Sequence, residues 1–264
     1  MMYDDVYMQR CIDLAQKAGK YTKSNPNVGC VIVHENVIIG EGYHIKYGDK
    51  HAEINALLDV IEQHRHLLPN STMYVSLEPC CIQGKTPPCS NTIIASGIKK
   101  IVIGAIDPNP LVNGLGVELL KKHGLEVTIG VKEIECNHLI RKFKINLKKR
   151  PYIILKWAQS YDGFMGHKTE RILISNEYAQ IYNHKLRTEV DGIVVGKNTA
   201  ILDNPILTSR FFEGDNPVRI AFDPRLEIPM THHLLSDGSK TIVVNDQRED
   251  TDNSIVYLKH EKSD

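Results

Sequence analysis

Several features that would assign this chain to common protein classes are missing from its sequence. Positive and negative side chains balance at 32 Lys and Arg against 32 Asp and Glu, so the chain lacks the positive excess that is typical of nucleic-acid-binding proteins. No apolar run approaches the ~20 residues of a membrane span. The acidic start, MMYDDVYMQRC, has no apolar core of a signal peptide. We therefore expect a cytoplasmic protein that binds neither nucleic acid nor membrane.

Two further absences narrow the possible chemistry. The phosphate-binding patterns GxxxxGK[ST] and GxGxxG do not occur in the chain. The sequence has only six cysteines, and in a reducing cytoplasm these do not form a disulfide framework. Their thiols are expected to bind metal, to react as redox or nucleophilic groups, or to fill the core. We interpret Cys11, Cys30, Cys81 and Cys136 as core or incidental thiols.

What is present is a regular alternation of strand and helix patterns over 264 residues, a length that fits two domains. The first part predicts a helix ending at Gly19, two strands around a turn at His34–Asn36, and then helices alternating with strands up to about Gly130. Its HAEINALLDVIEQH helix places Ile54, Leu57, Leu58 and Ile61 on one face. The order indicates an α/β layered sheet.

A second alternation follows a polar and basic connector with a helical pattern in its first half. It begins with a strand at PYIILKWA and continues with a helix near Asn176–Arg187 and with strands at VDGIVVG, PVRIAFD, KTIVVN and SIVYL. The predicted organisation is therefore an α/β domain at 1–131, a linking helix and connector at 132–150, and a second α/β domain at 151–264.

One short stretch, SLEPCCIQGKTPPC, combines thiols with chain-stiffening prolines. Cys80 follows Pro79, Cys89 follows Pro88, and HAE at positions 51–53 begins a predicted helix. One His and two Cys are the three protein ligands of a catalytic zinc site, and such a site keeps one position for water. Glu53 would then act as general acid/base, as in the zinc base deaminases. Zinc lowers the pKa of its water towards ~7, and the resulting hydroxide adds to an amidine-like ring carbon.

Two other interpretations of these residues remain open at this point. A nucleoside or tRNA-type base deaminase would usually have two residues between its cysteines, whereas eight separate Cys80 and Cys89 here. A structural zinc module without catalysis would need a fourth protein ligand, which Cys81 or His44 would have to provide.

At these residues the chain resembles the bifunctional deaminase/reductase family of riboflavin biosynthesis. The shared segments include NPNVGCVIV, LEPC, GKTPPC and DPNP in the first half, and LRTEVDGIVVGKNT and LDNPILTSR in the second. The resemblance implies a cytidine-deaminase-like three-layer domain followed by a dihydrofolate-reductase-like α/β domain. It also implies zinc-dependent deamination of 2,5-diamino-6-ribosylamino-4(3H)-pyrimidinone 5′-phosphate and NADPH-dependent reduction of the ribosyl group to ribityl.

Matching these motifs residue by residue implies roles for further side chains. His51, Cys80 and Cys89 would hold zinc, and Glu53 would donate protons. Positions implied to contact the pyrimidine ribotide are Asn25, His44 and Lys85, although a solvated loop lysine is an equally good interpretation of Lys85. Positions implied for NADPH are Ala158, Thr199 and Asp203, and those implied for the reductase substrate are Arg187, Leu207 and Arg210. A surface turn or a helix ion pair is the alternative for this second group. We expect a homo-oligomer.

The second domain, at 151–264, is shorter than the reductase half of this family. A cofactor site needs walls that exclude water and hold the reactive carbon against the substrate. We therefore expect the chain, as a C-terminally truncated reductase, to deaminate but to reduce weakly or not at all.

Overall fold

Among the residues that the structure describes, the strands form two five-stranded sheets, one in each part of the chain. The computed structural model describes residues 2–84, 87–167, 169–170 and 172–260. The chain divides into two units, Met1–Ile153 and Ile154–Asp264. Each unit has an apolar core of its own, the larger in the first unit. The predicted α/β class is confirmed in both.

The first unit is built from six helices and five strands among its described residues. The helices are α1 (Met2–Gln16), α2 (Ala52–Asp59), α3 (Cys89–Ala95), α4 (Leu115–Lys122), α5 (Glu133–Leu139) and α6 (Arg141–Asn146). The strands are β1 (Gly29–His34), β2 (Val37–Tyr43), β3 (Thr72–Leu77), β4 (Lys100–Ala105) and β5 (Glu126–Ile129). A 3₁₀ segment, Glu62–Asn70, precedes β3.

The first sheet has the order β2-β1-β3-β4-β5. Strand β1 runs antiparallel to β2 and β3, whereas β3, β4 and β5 are parallel. Strands β1, β3 and β4 are buried along almost their whole length, because helices cover both faces of the sheet. Helices α1 and α5 contact each other, and α3 contacts both α2 and α4. This is the expected three-layer arrangement.

Helix α2 is shorter than its apolar pattern predicted. It ends at Asp59, and Val60 adopts an extended conformation. Its buried residues are Ala52, Glu53, Ala56 and Leu57, whereas Leu58 and Ile61 are exposed. The predicted apolar face was therefore wrong in part. Leu57 is buried as predicted, but the other buried positions are two alanines and Glu53, because β2 approaches the helix closely.

The second unit contains helices α7 (Glu177–Thr188), α8 (Lys197–Asp203) and α9 (His233–Ser236). Its strands are β6 (Gly192–Gly196), β7 (Val218–Phe222), β8 (Thr241–Asn245), β9 (Asp250–Asp252) and β10 (Ile255–Lys259). The sheet order is β6-β7-β8-β10-β9, with β9 antiparallel to β10 and the other neighbours parallel.

The strand predicted at PYIILKWA is not formed. Residues 151–160 have no regular secondary structure, and Leu155 and Trp157 are 77% and 58% exposed. A strand exists only where a neighbouring backbone accepts and donates its hydrogen bonds. Among the described residues no strand pairs with this segment, so its apolar pattern predicted the wrong structure.

Candidate functional site

Three side chains from distant parts of the first unit converge on one point. The ligand atoms of His51, Cys80 and Cys89 all lie within 4.8 Å of one another. His51 Nδ1 lies 3.2 Å from Cys89 Sγ and 3.6 Å from Cys80 Sγ. One imidazole nitrogen and two sulfurs, each facing the others, form the donor set of a three-ligand zinc site. The residues therefore fit the metal that the sequence predicted.

Local structure explains why the two thiols meet. Cys80 lies three residues beyond the end of β3, and Cys89 is the first residue of α3. The backbone N–H of Cys89 donates to Cys80 Sγ at 3.3 Å. The carbonyl of Cys80 accepts from both the N–H and the Oγ of Ser90, each at 3.1 Å. These bonds hold the loop that contains Cys80 against the start of α3, where Cys89 lies.

His51 and Glu53 are positioned by the close approach of α2 to β2. His51 is the N-cap residue of α2, and Glu53 lies in its first turn. A Cβ at Gly40 would lie 2.5 Å from the Ala56 carbonyl oxygen, and one at Gly42 would lie 2.4 Å from the Ala56 nitrogen. Only glycine leaves room for the helix backbone at these two positions. The GEG sequence of β2 therefore allows α2 to pack close to the sheet, which places His51 and Glu53 near the two thiols.

The thiols favour metal binding electrostatically. Hydrogen bonds from Cys89 and His51 lower the pKa of Cys80, which favours its thiolate form. The hydrogen bond to that thiolate, together with burial, raises the pKa of Cys89. A bound dication would favour the thiolate form of both cysteines, because a metal ion binds the deprotonated form.

Glu53 is almost fully buried beside these ligands, with 3% of its surface exposed. Burial raises the pKa of its carboxyl group to about 7. A carboxyl group with a pKa near neutrality can both take up and release a proton at physiological pH, as a general acid/base must. Glu53 is not among the residues whose ligand atoms form the three-residue group; its carboxyl group instead forms a hydrogen bond with the Cys89 side chain.

His44 and Asn25 form a hydrogen-bonded chain next to the metal ligands. His44 Nδ1 lies 3.0 Å from the Lys50 carbonyl oxygen, which can only accept, so Nδ1 carries the proton. His44 Nε2 therefore accepts from Asn25 Nδ2 at 3.1 Å. The His44 ring also packs edge-on against His51 with the ring centroids 5.3 Å apart. The Asn25 side chain is thereby held next to the metal ligands.

Neither proposed fourth ligand belongs to the metal group. Both ring nitrogens of His44 have partners within the protein. Cys81 is half-buried and is absent from the cluster found among the described residues. Cys11, Cys30 and Cys136 are fully buried core residues, as expected. Lys85 lies outside the described residues.

Sequence reasoning missed two buried carboxyl groups near the thiols. Glu78, two residues before Cys80, accepts hydrogen bonds from three backbone N–H groups between positions 107 and 117. Burial, with smaller contributions from Glu78 and Cys80, raises the pKa of Asp107 to about 6. Both lie in quoted motifs, LEPC and DPNP, but an acidic residue in a loop pattern carries no signal of burial.

In the second unit, four of the predicted residues surround one cavity of about 200 Å³: Arg187, Asp203, Leu207 and Arg210. Arg187 is held by a 2.7 Å bond from Nη1 to the Thr208 carbonyl oxygen. Leu207 is buried and has a positive φ of 59°, a strained conformation for a leucine. Two arginines at the edge of one cavity form a site suited to an anion.

Two predicted cofactor residues are not in the lining of this cavity. Thr199 is exposed on α8, four residues before Asp203, so the two side chains share one face of that helix. Ala158 is half-buried in the segment without regular structure. Within the described residues the structure thus brings Thr199 and Asp203 together but places Ala158 on a separate segment.

His184 was also missed, although it lies one turn before Arg187 on α7. It is 4% exposed, and its ring packs against that of Phe211 in a tilted arrangement with a centroid distance of 4.5 Å. Its Nε2 lies 3.3 Å from Arg187 Nη1. Burial, with repulsion from Arg187 and Arg210, lowers the pKa of His184 to about 4.

Comparison with known proteins connects both sites to one family. Residues 1–105 match the model of the cytidine and deoxycytidylate deaminase zinc-binding region, and residues 151–259 match that of the RibD C-terminal domain. Riboflavin biosynthesis protein RibD from Aquifex aeolicus is 44% identical over 246 residues, which are 91% of this chain and 68% of that protein. The chain belongs to the RibD family. It is therefore an enzyme with a zinc-binding deaminase region and a RibD reductase domain.

Two further relatives agree with this assignment. RibD from a Synechocystis strain is 37% identical over 98% of this chain and 70% of its own length. A diaminohydroxyphosphoribosylaminopyrimidine deaminase/5-amino-6-(5-phosphoribosylamino)uracil reductase from Thermotoga maritima superimposes with a TM-score of 0.87 at 35% identity. The superposition covers 98% of this chain and 75% of that one. Within the described residues, no helix is both long and apolar enough to cross a membrane.

Proposed function

We propose that the first unit catalyses the hydrolytic deamination of 2,5-diamino-6-ribosylamino-4(3H)-pyrimidinone 5′-phosphate in riboflavin biosynthesis. We propose that the second unit performs the NADPH-dependent reduction of the ribosyl group to ribityl. The convergence of His51, Cys80 and Cys89 beside a buried Glu53 carries the first part. The RibD C-terminal match and the two-arginine cavity support the second.

In the proposed deamination, His51, Cys80 and Cys89 would hold zinc, which supplies a Lewis acid that activates water. Glu53 takes a proton from the attacking water and passes it to the amino group that leaves the ring as ammonia. Its pKa of about 7 suits both transfers. The carbonyl oxygen of Asn25, oriented through His44, accepts a hydrogen bond from the pyrimidine. Lys85 is proposed to contact the phosphate.

In the proposed reduction, Arg187 and Arg210 hold the anionic part of the substrate, and Leu207 forms an apolar wall of the same cavity. Thr199 and Asp203 on α8, with Ala158, are proposed to contact NADPH, which supplies the hydride for the open-chain aldehyde.

The two activities can be tested in sequence on the purified 264-residue chain. The diaminopyrimidine ribotide is added first and ammonia release is followed; NADPH is added next and its absorbance is followed. Ammonia release that stops on chelation of zinc supports the deaminase assignment. Zinc-loaded protein that releases no ammonia would contradict it.

The alternative of a structural zinc module has little support, because such a module needs four protein ligands and three converge among the described residues. A nucleic-acid base editor lacks support in the balanced charge of the chain. Two expectations remain predictions: assembly as a homo-oligomer, which sedimentation would measure, and a cytoplasmic location, which cell fractionation would measure.

A further inference from the structure

Glu78 is a buried acidic residue at the start of the loop that carries the metal ligand Cys80. Glu78 directly follows the end of β3 and has 3% of its surface exposed. Its Oε2 accepts from the backbone N–H groups of Asp107 at 3.1 Å and Gly114 at 2.9 Å, and its Oε1 accepts from that of Val117 at 3.1 Å. A carboxylate, which only accepts, satisfies all three donors at once.

These bonds hold the start of α4 against the loop that contains Pro79 and Cys80. A Cβ at Gly116 would lie 2.3 Å from the Pro79 carbonyl oxygen, so the helix approaches Pro79 as closely as its backbone allows. Pro79 has a restricted φ and separates Glu78 from Cys80 by one residue. If the Glu78 carboxylate moves, the Cys80 sulfur is therefore expected to move with it, because only the rigid Pro79 separates the two residues.

We propose that Glu78 is a positioning residue for the metal ligand Cys80, and that it couples the 107–117 segment to zinc binding. The inference rests on the proposed zinc site. Two contacts hold Cys80 in place. Ser90 donates to its carbonyl group, and Glu78, two residues earlier, is bonded to the backbone of α4. Without the second support the thiolate would sample positions away from His51 and Cys89, and the metal would dissociate faster.

The direct test is Glu78→Gln, which keeps the size of the side chain but turns an NH₂ group towards at least one backbone N–H. Zinc release to a colorimetric chelator is measured on the zinc-loaded full chain. We expect the dissociation rate to rise about tenfold, the lower end of the effect of removing groups that orient metal ligands. The spectrum of the cobalt-substituted variant should shift as well.

Asp223→Asn is the matched control. Asp223 is 1% exposed and also accepts two backbone N–H bonds, from Glu227 and Ile228, but in the second unit. It should lower thermal stability without changing zinc release. If Glu78→Gln releases zinc within twofold of the wild-type rate, the inference is wrong, even if its melting temperature falls.

A second measurement needs no variant. Coupling between two sites is reciprocal, so removal of zinc must loosen the contacts that support its binding. In wild-type protein we expect hydrogen exchange at the amides of Asp107, Gly114 and Val117 to accelerate on chelation. The Glu41 amide, which donates to Asp59 in the same unit, should change less.

Equal acceleration at all four amides, or none, would contradict the proposed coupling. Wild-type protein that binds no zinc would overturn the proposed function, and this inference with it. Zinc-bound wild type with an unaffected Glu78→Gln variant would overturn the inference alone.

Discussion

At the scale of single residues, the ligand assignment distinguishes Cys89, which belongs to the three-ligand group, from Cys81, which does not. Cys89→Ser replaces a thiolate ligand by a hydroxyl group, which is a much weaker zinc ligand. We expect this variant to lose its zinc and its deaminase activity together. Cys81→Ser, at a half-buried position outside the three-ligand group, should retain both. Metal content by atomic emission and deaminase activity are measured on the same samples. Loss of zinc in Cys81→Ser but not in Cys89→Ser would contradict the ligand assignment.

Glu53 offers a second test at this scale. Glu53→Gln keeps the shape of the side chain but cannot transfer a proton, so turnover should fall about 100- to 10,000-fold. Zinc content and the far-ultraviolet circular dichroism spectrum should stay at wild-type levels. Ammonia release under saturating substrate measures the effect. A loss smaller than tenfold would mean that another group moves the proton.

At the scale of secondary structure elements, α7 should make the second unit sensitive to acid. The folded-state pKa of His184, about 4, lies below the ordinary value of ~6.5. Between these values the unfolded chain binds a proton that the folded chain does not, so stability falls as pH decreases from about 6.5 towards 4. Protonation in the fold would place a third positive charge beside Arg187 and Arg210.

Urea unfolding of the second unit at pH 7 and pH 5 measures this dependence. His184→Gln should unfold more easily at pH 7 but show a flatter pH dependence than wild type. His66→Gln, at an exposed position of the 3₁₀ segment in the first unit, should keep the wild-type slope. A His184→Gln slope as steep as that of wild type would assign the acid sensitivity to other groups.

Arg219 on strand β7 is a buried charged residue with 2% of its surface exposed. Its guanidinium forms two 2.7 Å bonds to Asp237 and also donates to the carbonyl groups of Ile206, His233, Leu234 and Ser239. It thereby connects the segment before Leu207 with α9 and the start of β8.

Arg219→Met would leave the Asp237 carboxylate and these carbonyl oxygens without their donor. We expect the free energy of unfolding of the second unit to fall by about 3 kcal/mol, typical of breaking one side of a buried ion pair. Arg225→Met, at an exposed position, is the control and should change stability by less than about 0.5 kcal/mol. Denaturant midpoints measure both effects, and similar values for the two variants would contradict the prediction.

At the scale of the whole molecule, two units with separate cores should unfold in two steps. All three candidate metal ligands lie in the first unit. Because a metal ion stabilises only the state that binds it, chelation should lower one thermal transition and leave the other in place. Calorimetry with and without chelator tests this, and a joint shift of both transitions would show that the units unfold together.

Much of the first unit could be predicted from the sequence, because its signals are local. The alternation of strands and helices, the HAE helix start and the two Pro-Cys pairs each occupy a few consecutive residues. The strand at 151–158 and the buried face of α2 could not be predicted in the same way. Both depend on distant partners: the first on a neighbouring strand, the second on the glycines of β2 that admit the helix.

The sequence by itself determined the residue types that can hold zinc and move a proton, and the order of elements that carries them. Only the tertiary structure decided which atoms meet. The Lys50 carbonyl group determines the tautomer of His44, and burial raises the pKa of Glu53. The three backbone donors to Glu78 lie between 29 and 39 residues further along the chain, in the segment before α4 and in its first turn. The reason is physical: hydrogen-bond partners and burial are set by packing between segments that are remote in the chain, and no local pattern records them.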